Sequence, residues 1–151
     1  QDCKIILLKN GKITDFRTND KCAASTGRYL ENMARVLGMK VEEMAGFYED
    51  PVILNTTCAL FGESEVVGFL AEGFPIARIA AGVNHSVFGR IKSLLGGFPA
   101  GLGLALSGGV AHNNALKTLF KMEKKWDIIQ LQEPQFCGAM GCFEEAKKQG
   151  V

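Results

Sequence analysis

The chain reads as an α/β layer structure, a mixed sheet with flanking helices. Three observations predict it. Strand-like and helix-like segments alternate in the order β-β, helices, β, helices, β, helix, β, helix. The first two strands are joined by Asn10-Gly11 between apolar runs, a strong short hairpin signal. The later strands are preceded by helix-sized spacers, which favour parallel crossovers.

Taken in order, residues 3–8 and 12–17 flank Lys9-Asn10-Gly11 and form the opening hairpin. Residues 19–27 are small and polar. They give way to Leu30, Met33, Ala34 and Leu37, one apolar stripe of a helix. Ser25 or Thr26 is its natural N-cap and Gly38 its stop. Residues 41–47 form a short second helix, and Glu49-Asp50-Pro51 a turn. Val52-Ile53-Leu54 reads as a short β run closed by residues 55–58. Residues 63–72 carry Val66, Val67, Leu70 and Ala71 on one side of a helix stopped by Gly73. Pro75 in a first turn opens the longest helix, with Ile76, Ile79, Ala80, Val83, Val87, Ile91 and Leu94 on one face. Gly96-Gly97 and Pro99 end it. His85 lies off that face and reads as exposed or interfacial rather than catalytic.

A short buried strand at Leu104-Ala105-Leu106 then runs through Ser107 into Gly108-Gly109 and a helix that reaches about Lys124. This stretch is the focus of the functional reading. Missing side chains at Gly108 and Gly109 let a flat or anionic ligand approach the backbone, and the new helix offers unpaired N–H groups. Asn113 and Asn114 can cap that helix or bond a ligand. The same pattern also serves as a plain strand-to-helix turn with no ligand. A final strand at 127–131, a turn at Glu133-Pro134-Gln135 and a helix over 138–148 complete the chain.

The 151 residues suffice for one domain with a real core. A net charge of +1 gives no nucleic-acid footprint, and no apolar run is long enough to cross a bilayer. No signal peptide is visible. The chain begins with Gln1 in what reads as mid-strand, the expectation being a processed or excised piece of a longer protein. Five cysteines, Cys3, Cys22, Cys58, Cys137 and Cys142, form no CxxC pair, which argues against an extracellular disulfide framework and for a reducing cytoplasm. Cys3 reads as an inert core residue. Cys22 precedes a helix N-terminus, a setting that favours thiolate, although Asp20 opposes it. Cys58 occupies a similar strand-to-helix junction. Gly27, so early in its helix, signals close approach by a ligand or another segment.

These residues add up to a resemblance. Asp20-Lys21-Cys22-Ala23-Ala24-Ser25-Thr26-Gly27-Arg28-Tyr29-Leu30-Glu31 resembles the D-K-C-A-A-G-T-G-R-F-L-E segment of the ATP-dependent activators of 2-hydroxyacyl-CoA dehydratases, related to the benzoyl-CoA reductase ATPase subunits. Residues 58–66 are similar to that family's second cysteine segment. Residues 106–111 with Asn113 are similar to its adenosine motif. Pro134-Gln135 with Gly138-Ala139-Met140-Gly141 is similar to its C-terminal end. The four motifs occur in the family's order and cover nearly the whole chain.

The resemblance implies the fold of the actin, sugar-kinase and heat-shock-chaperone superfamily, in which two ribonuclease H-like lobes clasp ATP and magnesium. Residues 1–151 would be the C-terminal lobe, with the N-terminal lobe and this lobe's leading strand absent. Gln1-Asp2 would end the second phosphate loop, so that Asp2 holds phosphate or magnesium-bound water indirectly. Gly108 and Gly109 would pass the adenosine, with Asn113 beside them. Cys22 and Cys58 would be the metal ligands, two from each subunit of a homodimer holding one [4Fe-4S] cluster. Thr26 and Gly27 would lie near the phosphates or the cluster.

ATP hydrolysis would drive a low-potential electron, received from a ferredoxin or flavodoxin, onto a 2-hydroxyacyl-CoA dehydratase or related CoA-ester reductase. The acyl-CoA chemistry belongs to that partner, so no catalytic residue is expected here. This lobe alone is expected to bind ATP poorly and hydrolyse none. Ser25 departs from the family's Gly, and Cys137 and Cys142 from its apolar or small residues; those two thiols read as inert rather than as a metal pair. The competing expectations are a cluster-free lobe of a sugar or small-molecule kinase, which gives the cysteines no purpose, and a bare assembly module.

Overall fold

A computed structural model describes residues 2–19, 26–55 and 58–150. The elements are β1 (Lys4–Lys9), β2 (Lys12–Thr18), α1 (Gly27–Val36), α2 (Val41–Met44), α3 (Ala59–Ala71), α4 (Ile76–Leu94), β3 (Gly103–Ala105), α5 (Asn114–Glu123), β4 (Asp127–Ile129) and α6 (Cys137–Gln149). Two short 3₁₀ turns, Gly109–His112 and Pro134–Phe136, precede α5 and α6.

The hairpin forms as its turn chemistry dictates. Asn10 and Gly11 both take positive φ, 53° and 72°, the pair a two-residue primed turn requires. Ile6 pairs with Phe16 and Leu8 with Ile13, with an irregularity between Leu7 and Leu8. Ile5 and Leu7 pack on the core, while Ile6, Leu8, Ile13 and Phe16 face outward.

β3 and β4 pair in parallel, Gly103 with Asp127 and Ala105 with Ile129, so the crossover through α5 is as the spacing predicts. Ile129 lies so close to Gly103 that a methyl there would sit 2.5 Å from its Cδ1. Among the described residues the two pairs are separate two-stranded ladders rather than one mixed sheet. The three-residue β3 and β4 make no backbone bonds to the hairpin.

Residues 52–54 correct the sequence reading. They join no described strand. The Val52 N–H donates to the Arg78 carbonyl at 3.1 Å, and Val52 lies against α4 at Gly82, where a methyl group would sit 2.6 Å from its carbonyl oxygen. The β-branched run is thus satisfied by a helix face. α3 begins at Ala59, ahead of the expected 63, because Cys58 takes the N-cap position without the usual cap side chain. Pro75 is the N-cap residue of α4, and its carbonyl receives the Arg78 and Ile79 N–H groups.

The helices enclose the core. Met33, Met44, Val66, Ile79, Val83 and Phe120 are fully buried. Phe120 packs edge-on between Phe88 and Trp126, with centroids 4.9 and 6.2 Å away. Each such side chain contributes roughly 1.5–3 kcal/mol by burial. Among the described residues, no helix is long and apolar enough to cross a membrane.

Candidate nucleotide turn and thiol site

The chain leaves β3 into a turn that only glycine occupies without strain. Gly108 sits at φ 83°, ψ 178°. Its N–H donates to the Pro134 carbonyl at 2.8 Å. A methyl group on Gly108 or Gly109 would meet nothing within 4 Å, so the backbone here is open to a ligand. The helix does not start at once, as the sequence suggests. Gly109–His112 first makes a 3₁₀ turn, with Ala111 N–H donating to Gly108 and Asn113 N–H to Val110.

The second 3₁₀ turn, near Pro134-Gln135, docks on the first. His112 Nε2 lies 2.6 Å from Gln135 Oε1, and Gln135 Nε2 donates to Glu133 at 2.9 Å. Two motifs far apart in sequence therefore meet at the glycines. An open groove of about 670 Å³ runs beside them, lined among others by Leu106, Ala111, His112, Lys117, Lys121 and Pro134.

Asn113, expected as a ligand contact or a cap, is the cap. Its Oδ1 accepts from Leu116 N–H at 2.9 Å, its Nδ2 donates to Asn84 Oδ1 at 2.9 Å, and the residue is 4% exposed. Asn84 was not singled out from the sequence. It is fully buried on α4 and donates to the carbonyls of Met44 and Phe47, both at 2.8 Å. The available signal was an asparagine flanking an otherwise apolar face. His85 is half-buried, neither exposed nor in the groove, and its Nε2 bonds the Tyr48 carbonyl at 2.8 Å.

Cys22, one of the two expected metal ligands, lies outside the described residues. Cys58 is half-buried at the head of α3, where its carbonyl receives Gly62 N–H at 2.9 Å. The head of α1 lies alongside. A methyl on Gly62 would be 3.0 Å from the Tyr29 hydroxyl, and Asn32 donates to Glu63 at 2.7 Å. α1 also reaches the glycine turn: a methyl on Gly27 would be 3.4 Å from Val110 Cγ2. That is an ordinary contact a side chain at 27 would accept, so the close approach expected of Gly27 is not demanded by its described neighbours; the first turn of α1 lies beside Val110 and, through Tyr29, beside Gly62 of α3.

The remaining site residues are more remote in character. Asp2 is exposed and paired with Lys4, whose ammonium holds the carboxyl below its ordinary value. Burial pushes the Cys3 thiol up, which suits an unreactive core residue. Cys137 opens α6 and Cys142 is exposed on it. Among the described residues, no group of three or more His, Cys, Asp or Glu is placed to hold a metal.

Residues 1–146 match the BadF/BadG/BcrA/BcrD ATPase family. The chain is 36% identical over 156 residues to the 2-hydroxyisocaproyl-CoA dehydratase activator of Clostridioides difficile, covering 98% of this chain and 59% of the relative. It is 40% identical over 158 residues to the activator of lactoyl-CoA dehydratase of Anaerotignum propionicum, covering 98% and 60%. Its structure is similar to that of the C. difficile activator with bound ADPNP, with a TM-score of 0.88 at 36% identity over 99% of this chain and 59% of that one. It is similar also to component A of the Acidaminococcus fermentans (R)-2-hydroxyglutaryl-CoA dehydratase, with a TM-score of 0.89 at 35% identity over the same shares. The chain therefore spans about three-fifths of these relatives, and its α/β fold is the actin-like ATPase fold expected from the motifs. The match over residues 1–146, with relatives at 36–40% identity across nearly all of this chain, assigns it to the BadF/BadG/BcrA/BcrD ATPase family.

Proposed function

We propose that residues 1–151 form the C-terminal lobe of an ATP-dependent activator that passes a low-potential electron to a 2-hydroxyacyl-CoA dehydratase or a related CoA-ester reductase. The observation that carries this reading is the position of α1, whose first turn lies beside Val110 of the glycine turn and which meets the Cys58 helix through Tyr29 and Asn32. A nucleotide at the turn and a redox group at the thiols would then act on the same few residues.

The adenosine would lie against Gly108 and Gly109, where the backbone is open, with Asn113 stiffening the helix head from behind. Asp2 would act on magnesium through water, as its exposure permits. The donor set fits a [4Fe-4S] cluster shared by two copies. Such a cluster takes four thiolates, and Cys22 and Cys58 offer two per chain, Cys58 at the N-cap of α3, where the helix dipole favours the negative cluster. When bound, the cluster supplies a one-electron store at low potential. The chain's own part is to supply thiolates, to exclude water through the packed heads of α1 and α3, and to connect both to the nucleotide. The relatives named for dehydratase activation support a dehydratase partner, and the chemistry supports a soluble ferredoxin or flavodoxin as donor.

The test is anaerobic purification of the intact protein and its Cys58→Ala variant. The parent is expected to be brown with cluster absorbance, and the variant colourless but still able to bind ADP. An iron-free parent that phosphorylates a sugar would replace this reading with the kinase one.

A further inference from the structure

Four carbonyls in the turn after α2 are held by groups from α4 and α5. Asn84 Nδ2 donates to Met44 and Phe47, each at 2.8 Å. Ala115 N–H donates to Ala45 at 2.7 Å, and His85 Nε2 to Tyr48 at 2.8 Å. Asn84 is fully buried, and its Oδ1 receives the amide of Asn113, the residue that caps α5 behind the glycine turn. The segment so gripped lies in the connection between α1 and α3, the second of which has Cys58 as its N-cap. An apolar core needs no asparagine at this point. A buried amide with its donors and acceptor engaged fixes one relative placement of three segments and makes any other costly.

We propose that Asn84 is a positioning residue that locks the glycine turn to the 44–48 turn, so that nucleotide occupancy at Gly108-Gly109 is felt in the connection between α1 and α3. The inference rests on the nucleotide reading of the glycine turn given above. A ligand against Gly108 and Gly109 presses on the head of α5. That head carries Asn113 and Ala115, and both are tied to the 44–48 turn, one through Asn84 and one directly. Short buried hydrogen bonds transmit such a shift as a change between discrete arrangements rather than as a gradual strain.

The test is amide hydrogen exchange on the intact protein with and without ADP, combined with ADP calorimetry. The N–H groups of residues 44–47 are all hydrogen-bonded to carbonyls of residues 40–44, so their exchange reports opening of α2 and the turn it leads into. In the parent, ADP is expected to slow exchange at 108–116 and, about tenfold, at 44–47. Asn84→Asp keeps an acceptor for Asn113 but loses the donors to Met44 and Phe47. It is expected to bind ADP within about threefold of the parent and to keep the slowing at 108–116 while losing it at 44–47. Asn84→Ser, which reaches neither partner, carries the same expectation if the aspartate variant does not fold. Slowing at 44–47 that survives in the folded variant, or that is missing in ADP-bound parent, overturns the inference. A parent that gives no ADP heat overturns the nucleotide reading instead, and the two failures are thereby told apart.

Discussion

Gly108 has a backbone that no side chain occupies without strain. At φ 83° and ψ 178° an L-residue is strained by about 1–3 kcal/mol, although a methyl there would clash with nothing. Gly108→Ala is therefore expected to lower stability by that amount through the backbone alone, read in a urea melt, and to weaken ADP binding by closing the approach. Tyr29 is the complementary case. It is 2% exposed, its hydroxyl makes no hydrogen bond among the described residues, and the Arg90 guanidinium lies 5.1 Å over its ring. Removing an unsatisfied hydroxyl costs little, so Tyr29→Phe is expected to be neutral or stabilising by about 1 kcal/mol. The same hydroxyl fills the space beside Gly62, so Gly62→Ala is expected to destabilise and Tyr29→Phe to relieve part of that loss, a coupling visible in a double-mutant cycle.

Burial also sets an alkaline limit. The Cys3 thiol is raised from 9.0, by burial first and then by Asp2, and the Tyr29 phenol is raised from 10.0 by burial against the opposing pull of Arg90. Both groups stay protonated in the fold at pH values where the unfolded chain ionises them. Unfolding then releases protons, so stability is full below pH 9 and falls as pH rises through 9 and 10. Melts of the parent and Cys3→Ala across pH 8–11 check this: the variant is expected to lose the lower part of the decline.

Between elements, one side chain ties the hairpin to the longest helix. Arg17 on β2 donates to the Leu94 carbonyl at 3.3 Å and to Gly96, lies 4.0 Å over the Phe98 ring, and pairs with Asp15 at 3.3 Å. A planar cation at the C-terminus of α4 satisfies carbonyls the helix leaves unpaired and suits the negative end of its dipole. Arg17→Ala is expected to cost about 1–2 kcal/mol and to speed exchange in β1 and β2 before α4; Arg17→Lys, which cannot form the fork, recovers only part.

The hairpin and the helices α1, α4 and α5 were legible because each carries its own punctuation: Asn10-Gly11, Gly38, Pro75 and Asn113. The 52–54 run was not, because its period suits a strand while its N–H was claimed by a helix carbonyl. The start of α3 was hidden by a cap that is cysteine rather than serine or aspartate. At the site, the glycines and the Asn113 cap could be read locally. Asn84 could not, because its partners at 44, 47 and 113 become neighbours only after the helices pack.

At the scale of the whole molecule, two apolar surfaces stand out. The outer hairpin face shows Ile6, Leu8, Ile13 and Phe16, and the flank of α6 shows Phe136, Met140 and Phe143. α6 buries no residue, and a helix of 13 residues is marginal in water by itself. Its amides are expected to exchange far faster than those of α4 in this 151-residue polypeptide.

The central claim of the proposed reading is that Cys22 and Cys58, two thiols per chain, share a cluster with a second copy. Anaerobic iron and sulfide analysis of the intact protein, together with its mass in solution, tests that most directly. The account predicts a dimer with about two iron and two sulfide per chain, lost in Cys58→Ala. A monomer carrying a complete cluster, or an iron-free dimer that binds ADP normally, would contradict it.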